Sequence, residues 1–149
     1  CHVTIISRGN AKKENALTVL KVHDYIDSTN EDEFKAANGR FDFILDCISA
    51  AHDMGSYIDK LNVDGKLCIV GAPPEPMTLS GTKLIFGRKC WGGSLIGGIK
   101  ETQDMLDFCG RHNITCEYEM INANQIDEAY VRTVKGDVKY RFVIDTATM

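Results

Sequence analysis

Short runs of β-branched and apolar residues alternate with amphipathic stretches along the whole chain. That rhythm predicts βαβ units around a parallel sheet, the signature of an α/β fold. The predicted strands run 2–6, 41–47, 66–70, 90–94, 117–121 and 140–144, with a weak one near Tyr25 and Ile26. Helices are predicted over 12–20, 31–37, 50–61, 82–86, 99–111 and 126–134. In "IKETQDMLDFCGRHNI", Ile99, Thr102, Met105, Leu106 and Cys109 recur at helical spacing, while Lys100, Glu101, Asp104, Asp107 and Arg111 fall elsewhere on the wheel. "FDFILDCISA" is apolar at most positions, so it reads as a central parallel strand covered on both faces and broken at Ser49. In "NVDGKLCIVGAPPEP", Asp64-Gly65 predicts a turn, Leu67 to Val70 the strand, and Gly71-Ala72-Pro73-Pro74 a stop that excludes an immediate helix.

Composition narrows this picture. The 149 residues, 44% hydrophobic and 26% charged, suit an ordinary globular domain with a real core. Net charge is -4, the isoelectric point is near 5.5, and no long basic run occurs. A nucleic-acid partner or an anionic membrane surface is therefore not expected, and any anion site must be local. The apolar runs fall well short of the roughly 20 residues that span a bilayer, and no signal-peptide core opens the chain, so the expected location is cytoplasmic. The six cysteines (1, 47, 68, 90, 109 and 116) form no CxxC pair, and the four histidines are scattered, so buried free thiols are expected and no metal site. The chain opens with Cys1 at the start of a strand pattern, which leads us to expect residues upstream of it. Texture changes near Thr115, the expected boundary between a first domain (1–115) and a more polar strand-helix-strand segment (116–149).

Ligands of open α/β sheets bind beyond the carboxyl ends of the strands, so the strand tips carry the chemistry. The first tip reads Ser7-Arg8-Gly9-Asn10, followed by Lys12. A carboxylate there would bind a ribose 2′-hydroxyl; a hydroxyl and two cations suit a phosphate instead, the alternative being a solvated basic turn. "GGSLIGGIKE" does not fit GxGxxG, and reads either as an extended segment against a planar ligand or as a glycine-rich lead into a helix. Asp46 and His52 are close in sequence, but no serine or cysteine sits in a nucleophile elbow, and a Cys47–His52 dyad is not expected.

Taken in order, "VTIIS", "KKENAL", "DFILDCIS", "DGKLCIVGAP", "GRKCWGGSLIGGIKETQDMLDFCGRHNI" and "VKYRFVID" resemble the C-terminal portion of the zinc-dependent medium-chain alcohol dehydrogenases, in particular the cinnamyl alcohol dehydrogenase group. The resemblance covers essentially all of the chain. It implies a Rossmann-like doubly wound parallel sheet that lacks its first strand and glycine-rich turn, with 1–115 as a partial nicotinamide-coenzyme domain and 116–149 returning to a catalytic domain outside the chain. It places Ser7, Arg8, Gly9, Asn10, Ala11 and Lys12 on the loop for the 2′-phosphate of NADP, and Cys47 and Gly71 on strand ends beside the coenzyme. Ser94, Leu95 and Ile96 fall on the segment lining the nicotinamide and substrate pocket, and Ile85 and Phe86 on further pocket or subunit-contact positions. Arg8 and Gly9 stand where that loop is richer in serine, and Cys47 where threonine is common. The implied reaction is hydride transfer between NADP and a primary alcohol or aldehyde, in a homodimer with a catalytic zinc whose ligands are not in this chain; no catalytic or metal residue is assigned here. The competing reading is a non-catalytic nucleotide-binding or interaction module. A methyltransferase of related fold would want a carboxylate at the first loop, which Ser7-Arg8-Gly9 lacks.

Overall fold

The two β-branched runs nearest the start, β1 (Thr4–Ser7) and β2 (Asp24–Asp27), pair in parallel through Thr4–Asp24 to Ser7–Asp27. Helix α1 (Lys13–Thr18) makes the crossover, and α2 (Glu31–Ala36) follows β2, started by the Asn30 side chain accepting the Glu33 N–H. A second parallel sheet has the order β3-β4-β5, formed by Phe41–Asp46, Leu61–Ile69 and Cys90–Gly93. Between its strands lie α3 (Met54–Ile58) and α4 (Thr82–Ile85). The computed structural model describes residues 1–149 and divides into two units, Cys1–Ile96 and Gly97–Met149. The two units meet in sequence just ahead of helix α5 (Ile99–His112).

The core of the first unit lies under α3. Met54, Ile58, Leu61 and Leu67 are fully buried, with Ile44, Ile69, Leu84 and Trp91 packed against them. Only one face of β3 joins this core. Phe43 and Leu45 point the other way and are 57% and 55% exposed, so the expectation of a strand covered on both faces does not hold. The physical reason is one-sided cover: the Ile44 face packs on the core under α3, while no buried cluster forms against Phe43 and Leu45; β3 is also an edge strand, not hydrogen-bonded to β1. The expected doubly wound sheet is present as two parallel pieces, and no strand within 1–149 joins them.

Two local features differ from the sequence pattern. The helix predicted over 50–61 shrinks to Met54–Ile58, because Asp53 caps it by accepting from Gly55 N–H and Ser56 O–H while His52 is drawn away to Asp46. Residues 61–65 then belong to β4, and Asp64-Gly65 forms a bulge within it: pairing moves from Phe41–Leu61 to Phe43–Lys66. Asp64 takes φ 63°, its N–H donates to Gly87 O, and its carboxylate receives both Nε and Nη2 of Arg88. A Cβ at Gly65 would lie 2.9 Å from Leu61 Cβ and 3.1 Å from Phe41 O, so only glycine fits.

In the second unit, α5 begins where the Glu101 carboxylate accepts the Gly98 N–H and ends at Asn113 in the left-handed region (φ 52°). Strands β6 (Glu119–Asn122) and β7 (Phe142–Asp145) pair in parallel across helix α6 (Ile126–Val134), a βαβ unit that buries Ile121 and Ala129. Arg132 of α6 bridges Glu119 and Asp137 and lies over the Phe142 ring at 4.8 Å.

Candidate functional site

The loop after β1 is shaped from behind by β2. The carboxylate of Asp27, the last residue of β2, accepts Gly9 N–H at 2.8 Å and Asn10 Nδ2 at 3.2 Å, and also the N–H and hydroxyl of Thr29 at 2.9 and 2.7 Å. The Thr29 hydroxyl, with the N–H groups of Thr29 and Gly9 and the Lys13 charge, holds this carboxyl below the usual aspartate value, outweighing desolvation. From the other side, the hydroxyl of buried Tyr25 donates to Gly9 O at 2.7 Å. Gly9 takes φ 69°, a conformation that costs any other residue strain. Arg8, Ala11 and Lys12 are exposed, Ser7 is half-buried, and neither Arg8 nor Lys12 forms an ion pair. The sequence-predicted loop residues 7–12 are thus one continuous surface, with its cations outward and the Asp27 carboxylate of β2 turned in behind it. Asp27 was missed in the sequence because it ends the weak strand; Asp27-Ser28-Thr29-Asn30, a run of turn-forming side chains, was the available signal.

The tips of β3, β4 and β5 form a second row. Both Val70 N–H and Gly71 N–H donate to Asp46 O, and Ser94 N–H donates to Ile69 O. A Cβ on Gly71 would sit 2.4 Å from Ile48 O and 2.8 Å from the carbonyl carbon of Cys47, so β4 crosses the end of β3 at backbone distance. Asp46, its side chain 1% exposed, accepts Ile48 N–H at 3.0 Å through one oxygen and faces His52 Nε2 at 2.9 Å through the other. The other ring nitrogen of His52 lies 2.9 Å from Ala50 O. Cys47, Gly71 and Ser94 are therefore neighbours along one edge, and the glycine-rich segment that follows leaves Leu95 and Ile96 open to solvent.

A polar bridge connects the two rows. Tyr57 of α3 hydrogen-bonds Ser28, which directly follows β2, and its ring meets His52 edge-on at 5.4 Å. Burial pushes the Tyr57 hydroxyl up; the Ser28 bond and the Arg8 charge oppose this, and Asp46 adds to it. The carboxyl ends of both sheets consequently open on the same side, where a ligand of an open α/β sheet binds.

Not every predicted residue joins this edge. Ile85 and Phe86 end α4, and the turn through Gly87 returns the chain to the first residue of β5, beside the β4 bulge. They stand at the opposite end of β5 from Ser94, Leu95 and Ile96, so the structure does not gather these residues into one pocket within the chain. Cys47 and His52 form no dyad, because Asp46 and Ala50 engage the ring. Nor do three or more His, Cys, Asp or Glu side chains converge to hold a metal ion, so the residues here do not fit zinc. No helix is long and apolar enough to cross a membrane.

A family model described as zinc-binding dehydrogenase matches residues 1–111. The chain belongs to the zinc-binding dehydrogenase family. Within this family it is 49% identical over 145 residues to alcohol dehydrogenase 9 of Catharanthus roseus, covering 97% of this chain and 40% of that protein. Among solved structures, a cinnamyl alcohol dehydrogenase of Sorghum bicolor superposes with a TM-score of 0.93 at 36% identity, over 97% of this chain and 41% of that one. The cinnamyl alcohol dehydrogenase of Helicobacter pylori, solved with NADP(H), gives 0.82 at 37% identity over 98% and 41%. The chain thus spans about two fifths of the length of these zinc-binding dehydrogenases. Its parallel α/β architecture is that of their Rossmann-like domain.

Proposed function

We propose that this chain is the coenzyme-binding part of an NADP-dependent alcohol dehydrogenase that interconverts primary alcohols, of cinnamyl or related type, and aldehydes by hydride transfer. The observation that carries the reading is the outward-facing Ser7-Arg8-Gly9-Asn10-Ala11-Lys12 loop at the carboxyl edge of the sheet, its cations unpaired and its neighbouring carboxylate turned away. Relatives that are alcohol and cinnamyl alcohol dehydrogenases, one of them solved with NADP(H), support the same chemistry.

In this reading residues 1–115 bind coenzyme and 116–149 return to a catalytic domain that supplies zinc. Arg8 and Lys12, with the Ser7 hydroxyl, hold the 2′-phosphate; Cys47 and Gly71 form the wall along the coenzyme. Ser94, Leu95 and Ile96 border the nicotinamide and the alcohol. The bound nicotinamide accepts or returns the hydride, and this chain's part is to fix its position and keep water from one side of it. A second copy pairs along the free edge of β5, a homodimer in which exposed Ile85 and Phe86 serve as subunit contacts.

The test is Arg8→Asp in the full-length enzyme. The kcat/KM ratio for NADPH over NADH should fall about tenfold or more, since a charge-assisted contact becomes a repulsion. An unchanged ratio would remove Arg8 from the site.

A further inference from the structure

We propose that Asp27 and Tyr25 are positioning residues for coenzyme selectivity: together they clamp Gly9 so that the loop offers its cations, and no carboxylate, to the adenosine ribose. This rests on the reading above, in which the loop receives a 2′-phosphate.

An acid stands directly beside the loop, and an acid in this neighbourhood would ordinarily favour a 2′-hydroxyl over a phosphate. Its direction decides otherwise. Oδ1 of Asp27 is taken by Gly9 N–H, Thr29 N–H and the Thr29 hydroxyl, and Oδ2 by Asn10 Nδ2, while the residue is only 6% exposed. Rotating the carboxylate toward a ribose would strand the three donors on Oδ1 and the Asn10 amide on Oδ2. Gly9 is pinned at both backbone ends, its N–H by Asp27 and its carbonyl by the Tyr25 hydroxyl, in a left-handed turn. These bonds consume the polar backbone of Gly9. What remains to meet a ligand is the Ser7 hydroxyl, the Arg8 guanidinium and the Lys12 ammonium, set by a turn that cannot rotate independently of β2. Asp27 acts through the loop and touches no coenzyme atom.

Adenosine 2′,5′-bisphosphate and adenosine 5′-monophosphate, which differ only in the 2′-phosphate, serve as probes on the full-length protein, alongside steady-state kinetics with NADPH. The wild-type protein should bind the bisphosphate more tightly. Asp27→Ala should cut that preference roughly tenfold, raising KM for NADPH while kcat and monophosphate binding stay within about twofold. Asp27→Asn keeps one acceptor for Gly9 N–H and should recover part of the loss. Tyr25→Phe deletes a single hydroxyl from an otherwise unchanged ring, so it tests the clamp even where Asp27→Ala fails to fold; a loss of roughly threefold is expected. Should Asp27 act merely as a nearby negative charge, its removal would tighten the bisphosphate, and that result overturns the assignment. A wild-type preference that survives both Asp27→Ala and Tyr25→Phe overturns the clamp alone. Equal binding of the two nucleotides by the wild-type protein overturns the phosphate reading and the clamp with it.

Discussion

Two aspartates close adjacent halves of the ligand-binding edge, Asp27 at the end of β2 and Asp46 at the end of β3, and they stabilise their surroundings in different ways. Asp27 reaches across to another strand's loop and holds it by side-chain bonds to Gly9 and Asn10. Asp46 turns back on its own loop, holding Ile48 and His52, and its carbonyl receives the strand beside it. The β3 tip is further locked by the backbone contact at Gly71, whereas a Cβ at Gly9 would meet nothing within 4 Å. One tip is fixed by packing and can tolerate little change. The other is fixed by a few hydrogen bonds, and such an arrangement can be retuned residue by residue.

The largest expected effect tests the packed tip. Gly71→Ala forces a Cβ against the Ile48 and Cys47 backbone and should cost about 3 kcal/mol of stability, read by urea denaturation. Unchanged stability would show that the β3 tip gives way and that the contrast between the tips is illusory. Next comes His52→Leu, which leaves one oxygen of buried Asp46 without its partner and should cost about 2 kcal/mol. The same variant should leave the preference for adenosine 2′,5′-bisphosphate over the monophosphate intact; a loss there would mean the two tips are coupled through Tyr57 and Ser28.

The smallest effect is a titration. The Asp27 carboxyl lies below the ordinary aspartate value of 3.8, so the loop's hydrogen bonds contribute stability that is complete above that value and disappears as pH falls through the lower, folded one. The Gly9 amide resonance should stay fixed across neutral and mildly acidic pH and move only below about 3.8. A midpoint at or above that value would break the picture of a carboxylate held ionised by its donors.

Much of the fold was legible because hydrophobic period and strand type coincide along most of this chain: each of the seven strands overlaps a strand predicted from the pattern, although β5, Cys-Trp-Gly-Gly, holds no β-branched residue. The pattern failed where a side chain reached beyond its own segment. Asp53 and His52 shorten a helix that looked continuous, and Asp64-Gly65, a turn by composition, is a bulge held by Arg88. "FDFILD" reads as doubly covered, but composition cannot tell which of its faces has a partner within 149 residues. For the site, the loop and the glycine at 71 could be named from position and type. Asp27 offered only a turn-forming run, since its role depends on the pairing of β1 with β2, which brings its carboxylate to Gly9 and Asn10 of a loop distant in sequence.

The bare side of β3 has a practical consequence. Phe43 and Leu45 present aromatic and branched surface next to a strand whose outer backbone groups have no ladder partner. That combination is the template on which strands of separate molecules add to one another. Produced by itself, the 149-residue chain should lose solubility as its concentration rises, and a mild non-ionic detergent that coats the apolar face, or a charge at Phe43, should restore it.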